Sequence, residues 1–261
     1  METPIRVTLM IQGEMNPLLA QYLQSETVEL TVIEISHVSD IATQHVAAVS
    51  HAQVVFALTS QHHALTVAEQ IVPLLATGCI YVDLTTATPA SKKRRAGLFP
   101  AETFVDAALK NQGSPSEQLT LSVAGAGAQR LSELLSPLDL QIDVVSDVPG
   151  DAAALKLLHD MFTKNITSVL IDTLWAAESM GMQERAFEDI KQGFDSFSGA
   201  RAQELITDAS VNFKRSQIEM ADVVEMLTDS GYESTMLAPI QFNYGRIMHG
   251  KKIPYSKPAK K

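Results

Sequence analysis

Ile5-Arg6-Val7-Thr8-Leu9-Met10-Ile11-Gln12-Gly13-Glu14-Met15-Asn16-Pro17 is the stretch from which the rest of the chain is read. Ile5 to Ile11 is rich in aliphatic and β-branched residues, the composition of a buried strand. Gln12-Gly13 breaks the run, and Pro17 to Leu23 is helix-like. The same alternation continues outward. Val28 to Ile35, Val54 to Leu58 and Ile80 to Leu84 are further β-runs, followed by the shorter Phe104 to Ala107, Leu119 to Val123 and Ile142 to Val145. Strands that alternate with helical stretches predict a mostly parallel sheet covered on both faces. Right-handed crossovers make it a doubly wound α/β Rossmann domain.

The turn after the first strand is the place where such folds carry G-x-G-x-x-G. Its glycines allow a tight turn, close approach of a pyrophosphate and close helix–strand packing. Here only the middle glycine is present, as Gly13, with Ile11 and Asn16 at the outer positions. Helix N-terminal amides still offer a phosphate site. A branched side chain at Ile11 opposes the backbone that such a turn uses. Glu34 ends the second β-run 21 residues beyond Gly13. A carboxylate there suits a ribose 2′-hydroxyl and repels a 2′-phosphate, so NAD is favoured over NADP. A solvent-facing acid at a strand end fits the position equally well.

The pattern changes at Val148-Pro149-Gly150. Ala152 to Met180 reads as one long helix without internal proline or glycine, stopped by Gly181. Further helices are expected over Arg185 to Gln192, Ala200 to Leu205, Val211 to Ser230 and Pro239 to His249. The expected organisation is therefore an α/β domain over 1–149, an all-α domain over 150–250 and a basic flexible tail over 251–261.

Composition narrows the functional classes. The chain has 261 residues, 46% of them hydrophobic and 19% charged, enough to bury a core. Its formal net charge is −10, and without the six bases that follow Glu233 the remainder stands at −16. An acidic body argues against nucleic-acid binding. No apolar run reaches the roughly 18 residues of a membrane span. The acidic start, Met1-Glu2-Thr3-Pro4, does not read as a signal peptide. Cys79, the single cysteine, excludes an intramolecular disulfide framework and fits a cytoplasmic location.

Several motifs resemble one family. Gly13-Glu14-Met15 is similar to a G-E-M-G turn, and Tyr81 to Pro89 to a V-D-x-S-T-x-S-P segment. Phe104-Val105-Asp106-Ala107-Ala108 is similar to V-D-A-A, and Gly150 to Lys156 to the start of an interdomain helix. Together they resemble the β-hydroxyacid dehydrogenases, related to 6-phosphogluconate dehydrogenase and to imine reductases. Ala154 to Leu158 and Met161 to Lys164 resemble a branch with a distinctive phosphogluconate-dehydrogenase-like C-terminal domain. The resemblance implies a homodimer formed through the helical domain, with the site in a cleft between domains. It implies hydride transfer between NAD or NADP and a small hydroxy acid, carbonyl or imine. It makes Lys156 the proton donor or acceptor. Gly13, Glu14, Met15, Glu34, Thr59 and Thr86 become candidate cofactor contacts.

Lys156, Asp160 and Lys164 share a helix face at i, i+4 and i+8. Spacing alone suits a surface ion-pair ladder; the resemblance singles out Lys156. The family carries an asparagine where Asp160 stands, and a carboxylate there is expected to pair with Lys156. His159 beside it is a candidate substrate contact or proton relay, or a structural histidine. Lys110-Asn111-Gln112 replaces the family's S-G-G loop, which makes Lys110 and Asn111 substrate-binding candidates against a plain loop lysine. Lys92-Lys93-Arg94-Arg95 reads as a solvated helix face, and Gly125-Ala126-Gly127-Ala128 as an ordinary strand-to-helix turn. Phe162 and Trp175 read as core or dimer contacts. His62 and His63 are adjacent and make a poor metal pair. The lost glycines, Asp160 and the altered loop also fit another role: a catalytically degenerate or cofactor-independent descendant that binds a ligand or a partner.

Overall fold

The computed structural model describes residues 3–12, 19, 22–36, 41, 45–110, 119–138 and 140–254. The expected contacts Gly13, Glu14, Met15 and Asn111 lie outside these residues, as do Asn16, most of the helix-like stretch from Pro17 and the end of the tail. The chain divides into two compact units, 1–160 and 161–261.

The first unit is built on seven strands: β1 (Ile5–Ile11), β2 (Val28–Glu34), β3 (Val54–Leu58), β4 (Ile80–Asp83), β5 (Phe104–Lys110), β6 (Thr120–Ala124) and β7 (Gln141–Ser146). Their order is β2-β1-β3-β4-β5-β6-β7. Strands β1 to β5 pair in parallel, β5 and β6 are antiparallel, and β6 and β7 are again parallel. The expected doubly wound, mostly parallel sheet is present. Among the described residues its helices include α1 (Val46–Ser50), α2 (Ala64–Ile71), α3 (Pro89–Ala96) and α4 (Ala128–Leu134).

The strands read as continuous apolar runs because both faces of the sheet are covered. Alternation then sorts the side chains. Val7, Leu9, Ile11, Val54, Phe56, Val82, Val105 and Val123 pack in one core layer. Met10, Ile33, Val55, Ala57, Tyr81 and Phe104 pack in the other, against Val67, Ala68 and Ile71 of α2. Tyr81 stacks on Phe99 with centroids 4.6 Å apart. Ile11 is not at the turn at all. It is the last residue of β1, 4% exposed, in register with Glu34 on one side and Leu58 on the other. A branched side chain suits that place.

The turn from β6 into α4 is the plain strand-to-helix connection expected of Gly125-Ala126-Gly127. Gly125 has φ +121, and a Cβ there would stand 2.9 Å from the Phe104 carbonyl oxygen. Glycine is needed for that close approach to β5.

Helix α5 (Asp151–Ser179) has 29 residues and runs from the first unit into the second. The sequence predicts it over Ala152 to Met180, one residue later at each end. The second unit continues with α6 (Gln183–Asp195), α7 (Gly199–Val211), α8 (Phe213–Ser230) and α9 (Leu237–Met248). Asp172 of α5 accepts hydrogen bonds from Tyr232 Oη at 3.0 Å, from Thr235 N–H at 3.2 Å and from Ser234 Oγ, which fixes the segment leading into α9. Among its described residues only Asp172, Ala176, Ala177, Ser216 and Leu227 are buried. Met161, Phe162, Trp175, Phe187, Phe194 and Phe242 are about half exposed or more, so Phe162 and Trp175 are not core residues of this chain.

Candidate active site

In an open α/β sheet, ligands bind outside the carboxyl ends of the strands, where the winding reverses. Here the chain winds one way from β1 to β2 and the other way from β1 to β3. The ends of β1 and β3 are tied together. Gln12 N–H donates to the Leu58 carbonyl at 2.8 Å. His63 Nδ1 is 2.7 Å from Gln12 Nε2 and 3.0 Å from its Oε1, which also accepts the Ser60 N–H at 3.1 Å. One strand further, Thr59 Oγ1 and Thr85 Oγ1 are 3.0 Å apart and buried, joining the ends of β3 and β4.

A small cavity opens beside this edge. Its wall includes Leu58, Leu84 to Ala87, Ala107 to Leu109, Lys92, and Ala153, Lys156 and Leu157 of α5. Lys156 and Thr86 are therefore brought together. Lys156 Nζ donates to Asp160 Oδ2 at 2.9 Å, with side chains 19% and 30% exposed. The pairing anticipated from the i, i+4 spacing is present.

Beneath the cavity lies a group of charges. Lys92 and Arg95 of α3 are 1% and 3% exposed, which corrects their reading as part of a solvated face; only Lys93 and Arg94 are exposed. Lys92 Nζ donates to the Asp83 carbonyl at 2.6 Å and stands 3.2 Å from Asp83 Oδ1 and 3.0 Å from Asp106 Oδ1. Arg95 Nε donates to Asp83 Oδ2 at 2.6 Å. Asp83 Oδ1 also accepts the Thr85 N–H at 2.9 Å. Asp106 Oδ2 accepts the N–H groups of Gly150 and Ala153, each at 3.0 Å, and so caps α5 from the neighbouring strand. Gly150 has φ +100, and a Cβ there would meet the Pro89 carbonyl oxygen at 2.8 Å. Only glycine lets α5 start this close to α3.

No protein family model matches the chain. A curated relative, the uncharacterized 28.5 kDa protein in the 7S RNA 5′ region of Methanothermus fervidus, is 26% identical over 113 residues. That match covers 43% of this chain and 44% of the relative, less than half of either. Three solved structures are similar over most of their length. A conserved protein of unknown function, described as structurally similar to 3-hydroxyacid dehydrogenases, is 25% identical, with a TM-score of 0.59 and coverage of 94% of this chain and 97% of that one. An imine reductase from Aspergillus terreus, in complex with NADPH4 and a dibenzazepine, is 14% identical, with a TM-score of 0.74 and 95% of each chain covered. A conserved hypothetical protein from Sinorhizobium meliloti is 20% identical, with a TM-score of 0.53 and coverage of 96% and 92%.

The chain has the fold of imine reductases and 3-hydroxyacid dehydrogenase-like proteins.

Within this reductase-like fold the remaining expected residues fall in different places. Glu34 is exposed at the end of edge strand β2. Thr59 is buried and reaches the cavity wall through Thr85. His159 is exposed on α5. Lys110 is not a loop residue but the last residue of β5, and its ammonium is 2.8 Å from Asp143 Oδ2 of β7. The Lys110 hydrogen bond holds the Asp143 carboxyl below its usual value, against a smaller upward push from burial. Among the described residues no group of three or more His, Cys, Asp or Glu is placed to hold a metal ion, and no helix is long and apolar enough to cross a membrane.

Sequence reasoning passed over Asp83, Lys92, Arg95, Asp106 and Gln12. A signal was there for the first four. Asp83 and Asp106 interrupt apolar β-runs, and a buried acid needs a counter-charge. Lys92 and Arg95, at i and i+3, share the helix face that supplies it. The edge also carries polar groups that are exposed or half-buried: the Glu34 carboxylate at the end of β2, and Gln12, Ser60 and His63 at the winding reversal.

Proposed function

We propose that this chain is an NAD(P)-dependent oxidoreductase acting on a small hydroxy acid, carbonyl or imine, with Lys156 as proton donor or acceptor. One observation carries the reading: Lys156 lines a cavity with Thr85 and Thr86 at the carboxyl ends of the parallel strands. The fold shared with structures that hold NADPH supports it.

Glu34 would hold the adenosine ribose. Gly13, Glu14 and Met15 would meet the pyrophosphate, and Thr59 and Thr86 would flank the nicotinamide end. The cofactor, when bound, supplies or accepts the hydride. Lys156 Nζ delivers a proton to the substrate oxygen or nitrogen in the reducing direction and removes it in the oxidising direction. Asp160 holds the ammonium in place, and the buried Leu84 and Leu109 restrict water on one side of it. His159 and Asn111 lie near enough in sequence to Lys156 and Lys110 to serve as substrate contacts. The exposed apolar side chains of the helical unit would be covered by a second copy of the chain, giving a homodimer in the cytoplasm.

Calorimetric titration with NADH and NADPH is the deciding test. Micromolar binding is expected, tighter for NADH because Glu34 repels a 2′-phosphate. Absence of binding by either at millimolar concentration would defeat the proposal.

The Lys156–Asp160 ion pair favours a second reading, in which the lysine is a structural partner and the fold serves as a binding protein. Substrate-dependent oxidation of NADH by the wild type, lost in Lys156→Ala, would eliminate it.

A further inference from the structure

The buried charges beneath the cavity link its two walls. Asp83 and Asp106 stand in register on β4 and β5, 1% and 0% exposed. One Asp83 oxygen grips the Thr85 backbone, at the foot of the wall formed by Thr85, Thr86 and Ala87. One Asp106 oxygen grips Gly150 and Ala153, the start of the helix that carries Lys156. Lys92 bridges the two carboxylates, and Arg95 takes the remaining Asp83 oxygen. Two acids and two bases cancel in charge. Among the described residues Arg95 Nη2 and Asp106 Oδ1 have no hydrogen-bond partner, so Asp106 Oδ1 depends on its ion-pair contact with Lys92. In a low-dielectric interior, moving either partner leaves a buried ion without its counter-charge.

Asp151, the first residue of α5, accepts Ser146 Oγ at 2.7 Å. The N–H groups at the helix start are taken instead by Asp106 on β5. A cap supplied from a strand, and not from the helix's own start, also fixes the distance between the helix and the strand ends. Lys156 follows Ala153 by three residues, less than one turn.

We propose that Asp106 and Lys92 are positioning residues that set where Lys156 stands relative to Thr85 and Thr86. What Lys156 then does rests on the oxidoreductase reading; the positioning itself does not. The test compares the wild type with Asp106→Asn and with the charge-neutral double variant Lys92→Met/Asp106→Asn. Amide hydrogen exchange is followed at residues 150–160 and in the central strands, together with the carbon-13 signal of the Lys156 ε-methylene. In Asp106→Asn, exchange at 153–160 is expected to rise about tenfold or more, with β1 and β3 still protected and the Lys156 signal displaced. Where turnover is found, kcat should fall about 10- to 100-fold with KM for the cofactor nearly unchanged, the signature of a misplaced group. If Asp106→Asn does not fold, the same shifts in the double variant carry the proposal. Wild-type exchange and an unmoved Lys156 signal in a folded variant would overturn it. So would failure of both variants to fold, since the network would then have no role separable from folding. A wild type without hydride transfer defeats the oxidoreductase reading and leaves exchange and the Lys156 signal to decide this one.

Discussion

At the scale of single residues, Lys156 and Cys79 make opposite cases. Lys156 is partly accessible, sits on a cavity wall and has its ammonium directed by Asp160. General acid–base groups contribute roughly 10²–10⁴-fold to rate. Lys156→Ala should therefore lose about that much kcat while its thermal unfolding stays close to wild type, read by steady-state kinetics beside a melt. Cys79 is 3% exposed, and burial pushes its thiol up to about 11, with Arg130 opposing only in part. The thiolate is the reactive species. A thiol reagent at pH 8 should leave the native protein unmodified and label one site after unfolding, followed by mass spectrometry. Rapid labelling of native protein would contradict the burial.

At the scale of elements, charged contacts decide which pieces hold together. Asp172 joins α5 to the segment before α9. Burial raises its carboxyl, but hydrogen bonds from Ser234, Tyr232 and Thr235 outweigh this and leave it below its ordinary 3.8. A folded-state value below the unfolded one gives stability that is present above the unfolded value and lost as pH falls through the folded one. Asp172→Asn should lower Tm by about 2–6 °C at pH 7, for a loss of roughly 1–2 kcal/mol. The gap to wild type should close below about pH 4; an undiminished gap at pH 3 would deny the carboxylate this role. In the first unit the group of Asp83, Lys92, Arg95 and Asp106 is more deeply buried. Removing one partner of such a group leaves an uncompensated ion, at a typical cost of about 3–5 kcal/mol.

At the scale of the whole molecule, the two units differ in how they are stabilised. The sheet unit buries aliphatic and aromatic side chains on both faces. The helical unit buries few of its described residues and exposes Phe162, Trp175, Phe187, Phe194 and Phe242. The homodimer proposed above would cover these exposed apolar groups. Sedimentation equilibrium should return twice the chain mass of 28.3 kDa. Truncation of several of these side chains, such as Phe242→Ser with Trp175→Ser, should shift the balance towards the single chain. A wild type that sediments as one chain at micromolar concentration would refute the homodimer.

Much of this was legible in the amino-acid order. Seven β-runs, the break at Gly150 and the long helix after it are local signals, because strand alternation and helix continuity depend on near neighbours in sequence. The Lys156–Asp160 pair was legible for the same reason: four residues on a helix are always adjacent. Lys92 and Arg95 were not, since a run of four bases reads as solvated until α3 lies against the ends of β4 and β5. Lys110 likewise became a strand residue only when β5 paired with β6 and met Asp143. Ile11, the end of the first β-run in the sequence, lost its second reading as a turn position once it was paired with Glu34 and Leu58 on either side. The sequence by itself determined the layer architecture and the helix face that carries Lys156. The tertiary structure alone decided which charges are buried and which strand anchors α5, because those pairings join residues far apart in the chain and exist only once the sheet has excluded water.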